Sequence, residues 1–315
     1  MNKMRAVVVD PNVTGRLTIS EVDAPVPTPS QALIKVAAIS LNRGEVRRST
    51  TAEAGWQPGW DLAGTVEVAA ADGSSPLSGT RVVGFVKEGA WAELVAVPTN
   101  SLAELPSSVS FAQAATLPVA GLTAMHALAR GGSLLGRSVL ITGASGGVGL
   151  FACQLANHSG AHVVAHIRKA ELEKLVKESG AQDVVIGEDL ASASKYAPYD
   201  LILESVGGKI LSAALGLLAP DGTCVLFGTS DQHEITFDAR RFYGTGGASL
   251  YGLILFHELK SEPASIGLAR LARLVADNHL RPPIDLEAPW TQVADLAQQL
   301  LDRRFTGKAV LHISN

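Results

Sequence analysis

Arg137-Ser-Val-Leu-Ile-Thr-Gly-Ala-Ser-Gly-Gly-Val-Gly149, running on into Leu150-Phe-Ala-Cys-Gln-Leu-Ala156, is the stretch on which the reading of this chain turns. Its apolar run Val139-Leu-Ile141 has the composition of a buried strand. A glycine-rich turn follows and opens directly into an apolar-periodic helix. Gly143, Gly146 and Gly149 stand three residues apart. That spacing suits a tight turn, a close backbone approach to a phosphate, and a close helix-to-strand contact. The helix would aim its N-terminal amides, in the segment Ser145-Gly146-Gly147-Val148, at a pyrophosphate. Glycines alone are weak evidence; between a strand and a helix they make a dinucleotide signature. A ligand-free turn is the competing reading.

Downstream of this turn the chain alternates. Strand His162–His166, helix Ala170–Glu178 and strand Asp183–Ile186 come first. Strand Asp200–Ser205, helix Ile210–Leu218 and strand Thr223–Gly228 follow. Such alternation builds a doubly wound parallel sheet, so the fold class is α/β. Upstream, residues up to about 110 are β-rich, with runs at Ala6–Val9, Leu17–Val22, Gln31–Ile39, Thr65–Ala69, Arg81–Phe85 and Ala92–Pro98. Turn formers such as Pro25-Val-Pro-Thr-Pro-Ser30 separate them, which suggests a small barrel or sandwich. Phe111–Leu117 and Val119–Arg130 switch to helical periodicity. The tail carries helices Ala264–Asn278 and Val293–Arg303 and a last strand, Ala309–Ile313.

The 315 residues are 47% hydrophobic and 18% charged, enough for two cores. A net charge of −4 gives no basic surface for nucleic acid or anionic lipid. The two cysteines, Cys153 and Cys224, fall in an expected helix and an expected strand, as small core residues of a reducing compartment would. No apolar run nears the roughly twenty residues of a membrane helix, and the charged start is unlike a signal peptide. A cytoplasmic protein is expected.

In a unit of this kind, a carboxylate at the end of the second strand binds the adenosine ribose of NAD. Here that strand runs Val163-Val-Ala-His-Ile-Arg-Lys169, with Arg168 and Lys169 at its end. Two cations would pair with a 2′-phosphate, so NADP(H) is the expected cofactor. A solvated helix start is the plainer alternative, and Glu171 stands close enough to keep NADH in play.

The whole order resembles the medium-chain dehydrogenase/reductase superfamily, in its zinc-independent quinone oxidoreductase-like branch. The resemblance rests on Leu41-Asn42, Pro58-Gly-Trp-Asp-Leu-Ala-Gly-Thr-Val66, Gly89-Ala-Trp-Ala-Glu93, Leu117-Pro-Val-Ala-Gly-Leu-Thr-Ala124, the glycine turn, Glu204-Ser-Val-Gly-Gly208 and Gly307-Lys-Ala-Val-Leu311. It implies a GroES-like β-rich domain, residues 1–113 with 254–315, and a Rossmann domain, residues 114–253. It also implies cofactor contacts at Thr123, Gly228, Thr229, Ser230, Leu250 and Lys308, and a homodimer.

Zinc-dependent relatives hold a metal with Cys and a His-Glu pair, which zinc's preference for such donors explains. Asn42 and Trp60-Asp61 stand at those positions here, so no metal site is expected. What remains is hydride delivery to an acceptor needing little electrophilic help, a quinone or an α,β-unsaturated carbonyl (an enone or enal). Asn42 is the first catalytic candidate, its amide donating to the acceptor carbonyl or placing the nicotinamide ribose; on turn chemistry alone it is equally a turn residue. Some relatives place a tyrosine proton donor just beyond; here the nearest counterpart is Arg47, able to bind an anion or carbonyl, or else simply exposed. Tyr251 is the remaining polar candidate, as pocket lining or as a packed aromatic. A crystallin-like protein that binds NADPH without turnover, and a narrow enoyl reductase of a biosynthetic pathway, are the alternatives.

Overall fold

The computed structural model describes residues 3–313. The chain opens with β1 (Lys3–Val9), β2 (Leu17–Asp23) and β3 (Gln31–Ser40), then α1 (Arg43–Ser49). Next come β4 (Asp61–Val68), β5 (Arg81–Phe85), β6 (Leu94–Pro98), β7 (Leu102–Glu104) and α2 (Phe111–Ala115). After a π-helical turn over Leu117–Gly121 the chain runs through α3 (Leu122–Ala129), β8 (Ser138–Ile141), α4 (Gly147–His158) and β9 (His162–Ile167). There follow α5 (Glu173–Glu178), β10 (Asp183–Ile186), β11 (Tyr199–Glu204), α6 (Gly208–Leu215), β12 (Leu218–Leu226), α7 (Ala239–Gly244), β13 (Ser249–Gly252) and α8 (Leu255–Glu258). The tail holds α9 (Ala264–Ala276), β14 (Ile284–Pro289), α10 (Val293–Leu301) and β15 (Lys308–His312).

These elements form two compact units, residues 1–122 with 262–315 and residues 123–261. The resemblance implies divisions at 113/114 and 253/254. The contacts put α2 and the π-helical turn with β4 and β5 of the first unit, and the divisions fall at 122/123 and 261/262.

The first unit is built on a sheet in the order β14-β15-β3-β4-β5-β7, with β6 pairing β3 and an antiparallel β1–β2 ribbon beside it. Its pairings are antiparallel except β14 with β15, which run parallel. β3 alternates as a half-buried strand should: Ala32, Ile34 and Val36 are buried while Lys35 is exposed. With Leu62, Trp91 and Trp290 they form the core. A third strand and the last one thus meet side by side, Ser40 opposite Val310, although some 270 residues of chain separate them.

The second unit is a six-stranded sheet in the order β10-β9-β8-β11-β12-β13, parallel throughout. Numbered from β8, that is 3-2-1-4-5-6, the order of a doubly wound nucleotide-binding sheet. The order reverses between β8 and β11, and ligands of such sheets bind beyond the strand ends at that reversal. Val139, Leu140 and Ile141 are fully buried, as a strand covered on both faces requires.

Several elements differ from expectation, among them α7, β13 and α8, which fall between the expected strand Thr223–Gly228 and the expected helix Ala264–Asn278. Residues 43–49, for which no element is expected, form α1; its seven residues begin with Arg-Gly and carry no helical apolar period. β7 and β14 have no counterpart among the expected strands, the first because it has three residues, the second because it interleaves Asp285 and Glu287 and ends at Pro289.

Candidate functional site

In the second unit the glycine turn lies at the carboxyl end of β8, the first strand of the sheet. Gly143 adopts φ +59°, in the left-handed region open to glycine. A Cβ on Gly149 would stand 2.6 Å from the Cα of Ala144 and from the carbonyl oxygen of Gly143, so only glycine lets α4 lie this close to the turn. Gly146 is the N-cap of α4 and offers no capping side chain. The opening amides of a helix have no partner within it, so those of Gly147, Val148 and Gly149 are open to an anion. Ser145 and Val148 are half-buried beside them.

A buried polar brace stands behind this turn. Thr142, directly after β8, donates its hydroxyl to Glu204 Oε1 at 3.0 Å and accepts the Ser205 amide at 3.1 Å. Glu204, fully buried, also accepts the amides of Val206 and Gly207, at 2.8 and 3.0 Å. Burial pushes its carboxyl above the usual range. The brace fixes the segment after β11 against the turn. The segment after β12 is tied to it in turn, Ser230 donating its amide to the Ser205 carbonyl at 3.0 Å. In the sequence Glu204 stands out only as part of a family motif; a carboxylate ending a buried strand is the signal for its role.

Gly228, Thr229 and Ser230 therefore do gather at the strand ends beside the glycine turn. Arg168 and Lys169 are exposed at the end of β9, with Lys169 3.9 Å from Glu171. Thr123 is buried in the first turn of α3. Leu250 and Tyr251 lie on β13, the last strand of the sheet. Tyr251 is not a free donor: its hydroxyl bonds Glu258 at 2.6 Å, which raises its pKa. Arg130 lies over its ring at 4.0 Å and pairs with the same carboxylate. Tyr251, expected as a polar site candidate, is thus one member of an Arg–Tyr–carboxylate cluster with Arg130 and Glu258.

In the first unit, β3 runs into α1 through Asn42, the α1 N-cap, and a second polar group collects there. Glu45 accepts the Asn42 backbone amide at 2.8 Å, an acidic side chain on the first turn of its own helix. The Asn42 side chain turns inward. Its Nδ2 donates to Glu45 Oε1 at 3.0 Å and to Asp61 Oδ2 at 2.7 Å, and its Oδ1 accepts from Lys308 Nζ at 2.5 Å. Lys308 also donates to the Leu41 carbonyl at 2.8 Å and reaches Asp61 Oδ2 at 3.4 Å. Asp61 takes the Ser40 hydroxyl at 2.7 Å and the Val119 amide at 3.0 Å.

Every member is buried: Asn42 is 8% exposed, Lys308 3%, and Glu45 and Asp61 not at all. Burial lowers the Lys308 pKa, while burial and then the charge of Asp61 push Glu45 well above the carboxylate range. Glu45 Oε2 has no partner. The structure departs from the expected cofactor contact at Lys308: its ammonium is buried and engaged with Asp61, Asn42 and the Leu41 carbonyl and is not held out to a phosphate. Both amide hydrogens of Asn42 face carboxyl groups. Arg47 lies in the last turn of α1, exposed. The sequence does not single out Glu45, and names Asp61 only in the Trp60-Asp61 pair that stands where zinc-dependent relatives carry His-Glu, although Asn42-x-x-Glu45 carries half the spacing signal of a capped helix.

Zinc does not fit this arrangement. The donors are an amide and carboxylates rather than thiolates and imidazoles, and an ammonium already sits among them to repel a dication. Among the described residues no group of three or more His, Cys, Asp or Glu could hold a metal ion. No helix among them is long and apolar enough to cross a membrane.

Comparison with known proteins agrees with the two-unit architecture. The family profile described as "Alcohol dehydrogenase GroES-like domain" matches residues 28–107, and the one described as "Zinc-binding dehydrogenase" matches residues 147–270. The chain is 30% identical over 306 residues to the quinone oxidoreductase of Homo sapiens, covering 93% of this chain and 92% of that protein. A mycobacterial protein solved in complex with NADPH is 27% identical with a TM-score of 0.87, covering 98% of this chain and all of that one. The quinone oxidoreductase structure from Coxiella burnetii is 25% identical with a TM-score of 0.83, covering 99% of this chain and all of that one. With a β-rich unit, a nucleotide-type sheet and relatives alike over nearly their full length, the chain belongs to the medium-chain dehydrogenase/reductase superfamily, in its quinone oxidoreductase-like branch.

Proposed function

We propose that this protein is an NADP(H)-dependent oxidoreductase that works without zinc, passing hydride to a quinone or an α,β-unsaturated carbonyl. The observation that carries the reading is the open helix terminus behind a glycine turn at the reversal point of a 3-2-1-4-5-6 sheet. A relative of like fold was solved with NADPH, and the full-length relatives include quinone oxidoreductases.

In this reading the amides of Gly147 and Val148, with Gly143, Ser145 and Gly146, hold the diphosphate. Arg168 and Lys169, exposed at the end of β9, pair with the 2′-phosphate. Thr123, Gly228, Thr229, Ser230 and Leu250 flank the rest of the dinucleotide. When bound, the nicotinamide supplies the hydride, and conjugation in a quinone or enal spreads the charge that arrives with it. A polarising metal is then unnecessary. Arg47 is available at the α1 terminus to attract the acceptor oxygen, and water supplies the proton, since Tyr251 is engaged with Glu258.

The reading extends to a cytoplasmic homodimer. β13 stands at the end of the sheet order among the described residues, with Leu250 exposed on it and Ile254 exposed just beyond it, as at a strand that pairs across a two-fold. The test is NADPH oxidation with an ortho-quinone and an enal as parallel acceptors and NADH as the control. Turnover with either acceptor and a preference for NADPH are expected. Tight NADPH binding with no turnover on either would overturn the reductase reading and leave a binding protein.

A further inference from the structure

Thr142 and Glu204 meet directly behind the glycine turn, and the hydrogens between them have two arrangements. In the first, the Thr142 hydroxyl donates to Glu204 Oε1 at 3.0 Å, and the ionised Glu204 accepts throughout. Its donors are a hydroxyl and the amides of Val206 and Gly207, all neutral, around a carboxyl that is fully buried. In the second, Thr142 turns its hydrogen to the Leu203 carbonyl, 3.4 Å from the same oxygen. One lone pair of that oxygen already takes the Ser205 amide; the other is then open to a proton on Glu204 Oε1. A hydroxyl both donates and accepts, so Thr142 serves either state without moving. The pair is also close to the turn itself. Thr142 directly precedes Gly143, and a Cβ on Gly143 would stand 2.8 Å from the Ser205 hydroxyl oxygen. Cys224 of β12 is a titratable group near Glu204, and its thiol is pushed up by burial and then by that carboxyl. Lys209 at the start of α6 and Asp231 beyond β12 are exposed.

We propose that Glu204 takes up a proton when a diphosphate occupies the glycine turn, with Thr142 reversing its hydroxyl to accept it. A carboxylate among neutral donors tolerates a second negative charge nearby poorly, and protonation relieves the repulsion. The proton comes from solvent. One O–H bond forms on Glu204 Oε1, and the hydrogen bond that Thr142 donates passes from Glu204 to the Leu203 carbonyl. No covalent bond of the protein breaks. Burial already holds the Glu204 carboxyl above its ordinary range, so the anion adds to a displacement that the fold has begun. Glu204 is a positioning residue here, acting through Thr142 on the turn. The proposal rests on the turn being a diphosphate site, as in the proposed function, and adds a proton to the complex.

The test is the dissociation constant of adenosine diphosphate ribose across pH, a probe whose diphosphate has no oxygen that titrates near neutrality. A ligand that favours the protonated carboxyl binds more weakly as pH rises through the Glu204 titration. Between about pH 5 and 8 the wild-type constant should rise about tenfold, as repulsion between two charges through protein carries. Calorimetry in two buffers of unlike ionisation heat should show proton uptake over the same range. Glu204→Gln, permanently neutral, should show neither the slope nor the uptake. Thr142→Val should lose both, and Thr142→Ser, which keeps the hydroxyl, should retain both. A flat wild-type profile, or an unchanged slope in Glu204→Gln or Thr142→Val, would overturn the proposal. If Glu204→Gln does not fold, the two Thr142 variants decide. Failure of the diphosphate reading looks different: the probe binds at no pH, which overturns both.

Discussion

Two strand-to-helix junctions, one in each unit, solve the same problem in opposite ways. Where β8 meets α4, the helix start is a glycine without a capping side chain, and the backbone amides stay open. Where β3 meets α1, the helix starts at an asparagine whose amide hydrogens both face carboxyl groups, with an ammonium closing the other side. The first junction is a receptor made of main chain, suited to an anion of any sequence context. The second is a closed side-chain set that admits one orientation of one amide.

Asp61→Ala should separate the two junctions most. It would leave Lys308 as a buried, unpaired charge, and unit stability should fall by about 3–5 kcal/mol, read by denaturant unfolding. A loss below about 1 kcal/mol, the range of exposed pairs, would mean that the cluster is solvated and not closed. The corresponding change at the other junction is Gly149→Ala, where the new Cβ would meet backbone at 2.6 Å. Overpacking of that kind costs about 1–3 kcal/mol, and NADPH affinity should drop with it because the turn must shift. Titration calorimetry showing wild-type affinity would remove the turn from the anion site.

Smaller effects are expected at the remaining charges. Arg168→Ala should cost about tenfold in NADPH affinity, one charge-assisted contact, and leave NADH untouched. Equal losses for both nucleotides would move the 2′-phosphate elsewhere. The pH dependence belongs to Glu45, whose folded pKa is raised by burial above the ordinary value of 4.5. A raised carboxyl stabilises the fold fully below that ordinary value, and the contribution is lost as pH rises through the folded value. Lys308, lowered from 10.5, works in the opposite sense at alkaline pH. Melting temperatures from about pH 4 upward should therefore decline more in the wild type than in Glu45→Gln, and parallel curves would contradict a neutral Glu45. Tyr251→Phe, which removes a half-exposed bond to Glu258, should lower the melting temperature slightly and leave turnover intact.

The two junctions are also unequally legible in the sequence. The glycine turn is legible because its rule is local: spacing of Gly143, Gly146 and Gly149, an apolar run before and an apolar period after. The alternation from β8 to β12 is legible for the same reason, and with it the nucleotide-binding class. The cluster is hidden because its members lie at 40, 42, 45, 61 and 308. Only the pairing of β15 with β3, and of β3 with β4, brings them together. Lys308 enters the sequence reading only as a cofactor contact that the resemblance implies, and α1 is not expected at all, since neither burial nor helix formation is written in seven polar-rich residues. The arginines at the end of β9 and of α1 are legible as exposed charges, and what they bind is decided by ligands.

Hydride transfer without a metal is the central claim. The measurement is kcat/KM for NADPH oxidation with an ortho-quinone, before and after exhaustive treatment with a chelator, and again after zinc is added back. Three equal values are predicted. Activity lost to the chelator and recovered with zinc would contradict the claim, because it would require a metal at a place the structure fills with the Lys308 ammonium.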